Sequence, residues 1–263
     1  MSVSVLIVNF RTPELTAAAV QSALDEPETL EVVVVDNASG DASMSELQQR
    51  FEGEPRVRLI ASPENLGFGR ANNLAEHGCT GEFVFLLNSD ATLHPGCFRI
   101  LIDRWRTLDH PGVLAPAVYL QDGKTLQADA IGPFPTVKRL ITRETKQYGN
   151  SLTPDWVSGC AALMLREDYE AVGGFDPDIF MYYEDVLLCH AVRKLGKGVF
   201  RCLEAGVTHL GGGSIESRWN RKAIYYGAQD IMLRKIGEPW WAIAIVKMLR
   251  WPNLVLGRLL GRT

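Results

Sequence analysis

A short apolar segment that ends in three polar residues constrains this chain most. The segment Phe83–Asp90 has the sequence Phe-Val-Phe-Leu-Leu-Asn-Ser-Asp, with no polar residue before its end. Such a run is typical of a strand buried on both faces, as in a parallel sheet. In open α/β sheets ligands bind beyond the carboxyl ends of the strands, so Asn88, Ser89 and Asp90 are expected at the mouth of a crevice. Asp90 is therefore a candidate ligand for Mg²⁺ or Mn²⁺, although an Asp at such a position is also a common turn former or helix cap.

Strand-like and helix-like segments alternate along the first half of the chain. Val3–Asn9, Glu31–Asp36 and Val57–Ala61 are strand-like, and a helical pattern follows each of them. This alternation predicts an α/β fold with a doubly wound, mainly parallel sheet. The segment Gln121–Asp155 is polar, contains several Gly and Pro residues and is poorly periodic. It is expected to be either a mobile loop over the crevice or an irregular surface segment.

The composition excludes several classes of protein. With 263 residues, 46% of them hydrophobic, the chain can bury a full core, so disordered and fibrous classes are excluded. A net charge of −4 excludes a general nucleic-acid binder. The first residues carry no basic n-region, so we expect no signal peptide and a cytoplasmic location. The five cysteines form no C-x-x-C pair, which argues against a disulfide framework and a zinc site.

Polar side chains follow several of the predicted strands, and a shared crevice would bring them together. They are Asp36, the Arg70–Asn73 segment, Asp90 and the pair Glu184 and Asp185. This pair lies in the first turn of a predicted helix, where the helix dipole stabilises negative charge and keeps at least one carboxylate ionised at neutral pH. An ionised carboxylate can act as a general base. Acidic residues also favour helix N-termini for structural reasons alone, but the aromatic run Phe180–Tyr183 directly before the pair favours a functional site.

Seven segments of the chain occur in the order found in family 2 inverting glycosyltransferases. They are Val-Val-Val-Asp36-Asn-Ala-Ser, Glu64-Asn-Leu-Gly-Phe-Gly-Arg-Ala-Asn-Asn73, Leu-Leu-Asn-Ser-Asp90, Trp156-Val-Ser-Gly-Cys160, Gly-Gly-Phe175-Asp, Phe180-Met-Tyr-Tyr-Glu-Asp185 and His209-Leu-Gly-Gly-Gly-Ser214. The resemblance covers Val3–Ser214. Within the family the chain resembles bacterial rhamnosyltransferase-like members that act on surface polysaccharides.

The resemblance implies a GT-A fold, a nucleotide-diphosphate sugar donor and one divalent metal ion, Mg²⁺ or Mn²⁺. Asp36 would accept the N3–H of a pyrimidine base, and Asn9 and Phe10 would flank that base. An Asp that faces N3–H favours uracil or thymine over cytosine, so UDP- and dTDP-sugars are the expected donors. The other nucleotide-binding residues implied by the resemblance are Arg70, Asn73 and Ser89.

The resemblance also assigns the metal, the acceptor and the base. Asn88-Ser89-Asp90 matches the DxD position of the family, with Asp90 as the metal ligand and Asn88 in place of the first Asp. This departure implies coordination by one carboxylate, with His209 approaching the metal or the diphosphate. Asp185 would be the catalytic base. The acceptor would face Trp156, Ser158, Gly159 and Glu184.

Two parts of the chain differ in character. Residues 1–214 are expected to form the catalytic domain, with a nucleotide-binding half at about 1–120 and an acceptor-binding half at about 121–214. Residues 215–263 are expected to form a helical, apolar and basic extension. It contains nine Lys or Arg residues and three acidic ones, a net charge of +6 in a chain of net −4.

The apolar extension has more than one interpretation. Lys247, Arg250 and Pro252 interrupt it too often for a helix that spans a bilayer. Trp240, Trp241 and Trp251 among the cations suit peripheral contact with an anionic inner membrane, where a polyprenyl-linked acceptor would be presented. Packing against the catalytic domain, or against a second subunit in an oligomer, is equally compatible with these residues.

The expected activity is inverting transfer of a sugar to a hydroxyl of a glycan or lipid-linked acceptor in bacterial surface polysaccharide synthesis. Rhamnose is suggested as the sugar by the resemblance alone. Two other functions stay open. A sugar-phosphate nucleotidylyltransferase would need a Gly-rich basic loop after the first strand, whereas Asn9-Phe-Arg-Thr-Pro13 contains no Gly. A nucleotide-sugar-binding or scaffold protein would keep the fold without turnover.

Overall fold

The computed structural model describes residues 1–142, 151–211 and 218–259, and the side chains of 1–142, 151–211 and 221–250. Parts of three predicted segments lie outside the described residues. They are 143–150 of the polar segment Gln121–Asp155, 212–214 of the loop that begins at His209, and the chain from 260 onward. The side chain of Trp251 is also outside them.

The predicted alternation of strands and helices is present in the first half of the chain. Its elements are β1 (Val3–Asn9), α1 (Pro13–Leu24), β2 (Thr29–Asp36), α2 (Ser43–Arg50), β3 (Val57–Ala61), α3 (Phe68–Glu76) and β4 (Phe83–Asn88). Strand β1 pairs in parallel with β2 and with β4, and β2 pairs in parallel with β3. The carboxyl ends of all four strands therefore meet at one edge of the sheet.

The second half completes the sheet and adds helices. Its elements are β5 (Ala91–Leu93), α4 (Cys97–Trp105), β6 (Pro111–Tyr119), β7 (Ile131–Gly132), α5 (Val137–Thr142), β8 (Trp156–Val157), β9 (Ala161–Leu165), α6 (Arg166–Ala171), α7 (Glu184–Lys194), β10 (Gly198–His209), α8 (Arg218–Lys235) and α9 (Trp240–Leu259). The main sheet has eight strands in the order β3-β2-β1-β4-β9-β6-β10-β5. It is mainly parallel, as predicted, but β9 runs antiparallel to β4 and β6, and β5 runs antiparallel to β10.

Strand β4 is buried on both faces, as its sequence predicted. Phe83, Phe85 and Leu87 are fully buried with α1 and α4, and Val84 and Leu86 are fully buried on the opposite face of the sheet. Each such side chain contributes roughly 1.5–3 kcal/mol of burial free energy. The apolar part of the segment is thus fixed in the core, and its polar end is left at the edge of the sheet.

Part of the polar segment Gln121–Asp155 has regular structure. Strand β7 pairs with β8 in a separate two-stranded sheet, in which Gly132 lies opposite Trp156. Helix α5 follows β7 and packs against α9. The expectation of an irregular loop is therefore wrong for these residues, because pairing with β8, distant in sequence, is not visible in local periodicity.

The C-terminal helices α8 and α9 pack on the preceding part of the chain, and the predicted helices of the tail are present over 218–235 and 240–259. Ala242, Ile243 and Val246 of α9 are buried in a cluster with Val186 and Leu187 of α7. The opposite face of α9 is exposed. Within the ranges that the structure describes, no helix has both the length and the hydrophobicity needed to cross a membrane.

Candidate active site

Asn9 and Asp36 form a buried pair at the ends of the neighbouring strands β1 and β2. The side-chain nitrogen of Asn9 donates to Asp36 Oδ1 at 2.7 Å, and the hydroxyl of Ser39 donates to the same oxygen at 2.5 Å. The Oδ1 of Asn9 in turn accepts a hydrogen bond from Thr16 at 2.7 Å. Within the described residues, Asp36 Oδ2 receives a single long hydrogen bond, 3.4 Å, from the backbone N–H of Ser39. The second oxygen of Asp36 thus keeps the capacity to accept a donor from a ligand.

Phe10 lies next to this pair and is half-buried. The guanidinium of Arg11 lies 5.0 Å from the centre of the Phe10 ring, within the range of a cation–π contact. An aromatic ring and a cation at the end of β1 are compatible with a base and a phosphate. The structure thus places Phe10 beside Asn9 and Asp36, and contact of these three residues with a pyrimidine base stays a prediction.

Arg70 and Asn73 are in helix α3, whereas the sequence placed the helix after them. Arg70 is exposed and forms an ion pair with Glu64 at 3.4 Å. Asn73 Oδ1 accepts hydrogen bonds from the Tyr169 hydroxyl at 2.6 Å and from the Phe175 N–H at 2.8 Å, and its Nδ2 donates to the Phe175 carbonyl at 2.8 Å. Asn73 therefore holds the turn at Phe175, and nucleotide contact by either residue stays a prediction.

Asp90 and His209 form a second pair, at the ends of β4 and β10. His209 Nε2 lies 3.1 Å from Asp90 Oδ1 and 3.3 Å from Asn88 Nδ2. Burial acts to raise the pKa of Asp90, but the hydrogen bond and charge of His209 hold that pKa below its ordinary value. On the other side of the ring, His209 Nδ1 lies 2.8 Å from the side-chain oxygen of Gln127. With this orientation of the Gln127 amide, Nδ1 is the donor of that contact, and Nε2 faces the Asp90 carboxylate.

This pair fits a divalent cation. Two adjacent ligands at the distance of about 2.1 Å that Mg²⁺ requires are about 3.0 Å apart in an octahedral site, and His209 Nε2 and Asp90 Oδ1 are 3.1 Å apart. A cation between the two atoms would replace the proton that otherwise joins them. Among the described residues, no group of three or more His, Cys, Asp or Glu side chains could hold a metal. The remaining ligands would have to come from water or from a bound diphosphate.

Glu184 and Asp185 begin helix α7, as predicted. Burial and the neighbouring charge of Asp185 raise the pKa of Glu184 to about 8. Burial raises the pKa of Asp185 to about 6, while hydrogen bonds from the backbone N–H groups of Gly159 and Val186 oppose the rise. At neutral pH Glu184 is therefore mostly protonated and Asp185 mostly ionised. Asp185 is half-buried rather than fully enclosed.

The predicted acceptor residues lie next to this pair. The N–H of Gly159 donates to Asp185 Oδ2 at 3.2 Å, and the Ser158 hydroxyl accepts from the N–H of Cys160 at 3.2 Å. The indole N–H of Trp156 donates to the Pro133 carbonyl at 2.9 Å, which fixes the half-buried ring. Ser158, Gly159 and Trp156 thus line the same side of the sheet as Asp185, and their contact with an acceptor stays a prediction.

Cys160 connects the Asp90–His209 pair to the Glu184–Asp185 pair. Its carbonyl accepts a hydrogen bond from the N–H of Asn88 at 2.9 Å, while the preceding Gly159 binds Asp185. Burial raises the pKa of the Cys160 thiol well above its ordinary value, and the charges of Asp90, Asp129 and Asp185 add to the rise. Asp90 and Asp185, far apart in sequence, therefore lie on the same side of the molecule and close to one residue.

Two polar residues of the site were not predicted. Ser39 binds Asp36, and its position three residues after Asp36 in Asp-Asn-Ala-Ser is a turn pattern that could have indicated it. Gln127 binds His209 from the polar segment Gln121–Asp155, and no sequence signal pointed to it.

Comparisons with known sequences identify one family. The family described as Glycosyl transferase family 2 matches residues 4–173. The N-acetylglucosaminyl-diphospho-decaprenol L-rhamnosyltransferase of Mycobacterium tuberculosis is 30% identical over 205 residues, which cover 68% of this chain and 65% of that protein. The chain thus spans 65% of the length of this relative.

Solved structures agree on the fold. The mannosyltransferase PcManGT from Pyrobaculum calidifontis, in complex with GDP-Man and Mn²⁺, has a TM-score of 0.63 and 16% identity, and the match covers 99% of this chain and 80% of that one. GalNAc-T7 with UDP, GalNAc and Mn²⁺ has a TM-score of 0.66 and 15% identity, over 88% of this chain and 47% of that one. These similarities confirm the expected GT-A fold. Together with the match over residues 4–173, they lead to one conclusion: the chain belongs to glycosyl transferase family 2.

Proposed function

We propose that this protein is an inverting glycosyltransferase that moves a sugar from a UDP- or dTDP-sugar to a hydroxyl of a glycan or lipid-linked acceptor, in the synthesis of a bacterial surface polysaccharide. The observation that carries the proposal is that adjacent residues bind both carboxylate positions: the Cys160 carbonyl accepts from the N–H of Asn88, two residues before Asp90, and the Gly159 N–H donates to Asp185. Asp90, with His209, can hold a cation, and Asp185 is an ionised carboxylate within reach of an acceptor. The rhamnosyltransferase relative supports rhamnose as the sugar.

In the proposed complex, Asp36 recognises the nucleobase of the donor. Asp36 Oδ1 is occupied by Asn9 and Ser39, and Oδ2 is left to accept the N3–H of uracil or thymine. The ring of Phe10 lies beside the pair and can stack on the base. The same strand edge carries Ser89 and Asp90, so a nucleotide held at Asp36 can extend its diphosphate towards His209.

In the proposed reaction the acceptor hydroxyl attacks the anomeric carbon of the donor sugar from the side opposite the diphosphate. Asp185 accepts the hydroxyl proton as the new glycosidic bond forms and the bond to the diphosphate oxygen breaks. The backbone N–H groups of Gly159 and Val186 orient the carboxylate, and the single displacement inverts the anomeric configuration. A divalent cation held by Asp90 and His209 would offset the negative charge on the departing diphosphate.

A panel of nucleotide sugars tests this assignment of the donor. With Mn²⁺ present, dTDP-rhamnose or a UDP-sugar at about 100 times its Kd should raise the unfolding temperature by about 5–10 °C, because a ligand that binds only the folded state stabilises it. GDP-mannose is the matched control and should give no comparable rise, since guanine presents a different edge to Asp36. Product formation with the stabilising donor then tests transfer. Stabilisation by GDP-mannose alone would contradict the pyrimidine assignment, and donor binding without transfer or hydrolysis would favour the scaffold alternative.

We further propose that α9 places the protein on an anionic membrane surface. Its exposed face is mainly apolar: Trp240 is 81% exposed, Trp241 55% and Met248 68%, with Lys247 exposed beside them. Ile245 and Leu249 complete this face, and Ala242, Ile243 and Val246 occupy the opposite, buried face. The tail carries a net charge of +6, which complements anionic lipid and disfavours a second copy of the same basic surface.

Flotation with vesicles tests the membrane proposal. The protein should float with vesicles that contain phosphatidylglycerol but not with pure phosphatidylcholine, and the double variant Trp240→Ser/Trp241→Ser should stay in the soluble fraction. Leu120→Ser is the control, since Leu120 is an exposed apolar residue that does not belong to the tail. Equal flotation of wild type and double variant would contradict the proposal. A dimer that dissociates in the double variant would assign the face to a second subunit instead.

A further inference from the structure

An open cleft lies between the turn that precedes α7 and the first turns of α8. It has a volume of about 330 Å³ and is lined by Tyr182, Arg221, Lys222, Tyr225 and Tyr226. Three tyrosines and two cations offer flat apolar surfaces and positive charge in one place. Neither the seven sequence motifs named above nor the proposed mechanism uses these residues of α8.

The turn that forms one wall of the cleft has a costly backbone conformation. Tyr182 and Tyr183 have positive φ angles of 71° and 66°. Two consecutive residues with side chains in the left-handed region are unfavourable and persist only where the surroundings hold them. Helix α8 does so: the hydroxyl of Tyr183 donates to the Tyr225 hydroxyl at 2.5 Å and accepts from Gln229 Nε2 at 2.5 Å, and the Tyr182 and Tyr225 rings are in edge contact at 5.5 Å.

The two cations of the cleft differ from other basic residues of the tail. Lys235, Lys247 and Arg250 form ion pairs with aspartates, and Arg234 donates to a backbone carbonyl of its own helix. Over the described part of the chain, neither Arg221 nor Lys222 has a carboxylate within ion-pair distance. Their positive charges are therefore available to an anionic ligand in the cleft.

The cleft lies between Asp185, the proposed catalytic base, and the apolar face of α9. Tyr182 precedes Asp185 by three residues, so the cleft begins beside the catalytic carboxylate. At the other side, Tyr226 lies under the guanidinium of Arg250 in α9, 5.1 Å from the ring centre, and its carbonyl accepts from Arg250 at 3.3 Å. The residues at Asp36 and at Asp90 belong to the ends of β2 and β4 instead. An anion in the cleft would thus lie on the acceptor side of Asp185.

We propose that this cleft binds the diphosphate of an acceptor in which a sugar is joined through a diphosphate to a lipid. Arg221 and Lys222 pair with the phosphate oxygens, and the tyrosine rings pack against the sugar whose hydroxyl faces Asp185. The lipid leaves the cleft at Arg250 and continues along the exposed apolar face of α9. The inference rests on the proposed transferase function and names its acceptor class.

Direct binding of defined probes tests the cleft independently of turnover. The wild type should bind a short-chain prenyl diphosphate N-acetylglucosamine at least about tenfold more tightly than an uncharged alkyl N-acetylglucosaminide of the same chain length. The double variant Arg221→Gln/Lys222→Gln should lose this preference, while its affinity for UDP or dTDP with Mn²⁺ should not change. Arg234→Gln, a neutralisation on the same helix outside the cleft, should bind both probes as the wild type does.

The possible results separate the cleft from the transferase assignment. If the double variant binds the diphosphate probe as tightly as the wild type, or the wild type has no preference for it, the cleft is not the site. If neutralisation weakens binding of UDP and Mn²⁺ instead, the cleft serves the donor and the proposal is overturned. If the wild type neither binds a donor nor transfers a sugar, the proposed function is overturned. The comparison of the two probes would still show whether the cleft binds a diphosphate. If inorganic pyrophosphate competes with the diphosphate probe for the wild type, the diphosphate itself is the group that the cleft recognises.

Discussion

Replacement of Asp185 by Asn is expected to reduce sugar transfer about 10²–10⁴-fold, the usual cost of removing a positioned general base. The amide cannot accept the proton of the acceptor hydroxyl. Donor binding should be nearly unchanged, because the proposed donor-binding residues Asp36, Asp90 and His209 lie at the ends of strands and not in α7. The measurement is kcat for transfer together with the Kd for the nucleotide with Mn²⁺. Transfer at the wild-type rate in Asp185→Asn would show that the base is another group.

The fold of this variant can be checked by its stability. Burial raises the pKa of Asp185 to about 6 in the folded protein, above the ordinary value of 3.8. Because the folded state binds this proton more tightly, ionisation of Asp185 destabilises the folded state as the pH rises through this range. A neutral Asn avoids that cost but can accept only one of the two backbone hydrogen bonds, from Gly159 or Val186, so the unfolding temperature at pH 7 should stay close to that of the wild type. An inactive but stable variant places the defect in the chemistry.

The pH dependence of kcat/KM and the variant Glu184→Gln distinguish the roles of Asp185 and Glu184. Asp185 must be ionised to act, so kcat/KM should fall as the pH decreases through about 6, the pKa of that carboxyl. Glu184, with a pKa of about 8, is mostly protonated at pH 7 and is replaced by Gln without a change of charge. Glu184→Gln should therefore lose clearly less than about 10²-fold. A larger loss in Glu184→Gln than in Asp185→Asn would exchange the two roles.

The strand ends of this site could be predicted because the signal is local. An apolar run such as Phe83–Asn88 fixes a buried strand, and the next polar residue must then emerge at the edge of the sheet. The same reasoning placed Asp36 and Asp90 at one edge. Parallel pairing of β1 with β2 and β4 then brought together residues that no spacing in the sequence connects.

Other parts of the site depend on contacts between distant segments and left no local pattern. Strand β9 enters the sheet antiparallel, between β4 and β6, and this insertion brings Cys160 to Asn88. Gly67, directly before α3, has a φ angle of 78° and allows close approach of the Phe180 carbonyl, which accepts from Phe68 N–H at 3.0 Å. Similarly, the positive φ angles of Tyr182 and Tyr183 depend on α8 and contradict the local preference of Tyr.

Replacement of Asp90 by Asn is expected to remove most of the metal-dependent affinity for the donor. Asp90 Oδ1 and His209 Nε2, 3.1 Å apart, are the protein atoms that fit a divalent cation, and Asp90 is the carboxylate of this pair. Loss of an outer partner of a metal site costs about 10–100-fold in affinity, and loss of a charged ligand should cost at least as much. Titration of UDP or dTDP with Mn²⁺ should therefore show binding weakened by about 10–100-fold or more in Asp90→Asn.

The same titration in chelator isolates the contribution of the metal. Without Mn²⁺ the wild type and Asp90→Asn should bind the nucleotide equally, because Asn9 and Asp36, which hold the base in the proposed complex, are unchanged. Asp109→Asn is the matched control: the Asp109 side chain is 97% exposed, and removal of its charge should alter neither titration. Nucleotide affinity in Asp90→Asn that still rises with Mn²⁺ as in the wild type would place the cation elsewhere. If Asp90→Asn weakens nucleotide binding equally with and without Mn²⁺, Asp90 supports the nucleotide pocket itself. The difference between the two titrations is therefore the quantity that assigns the metal to Asp90.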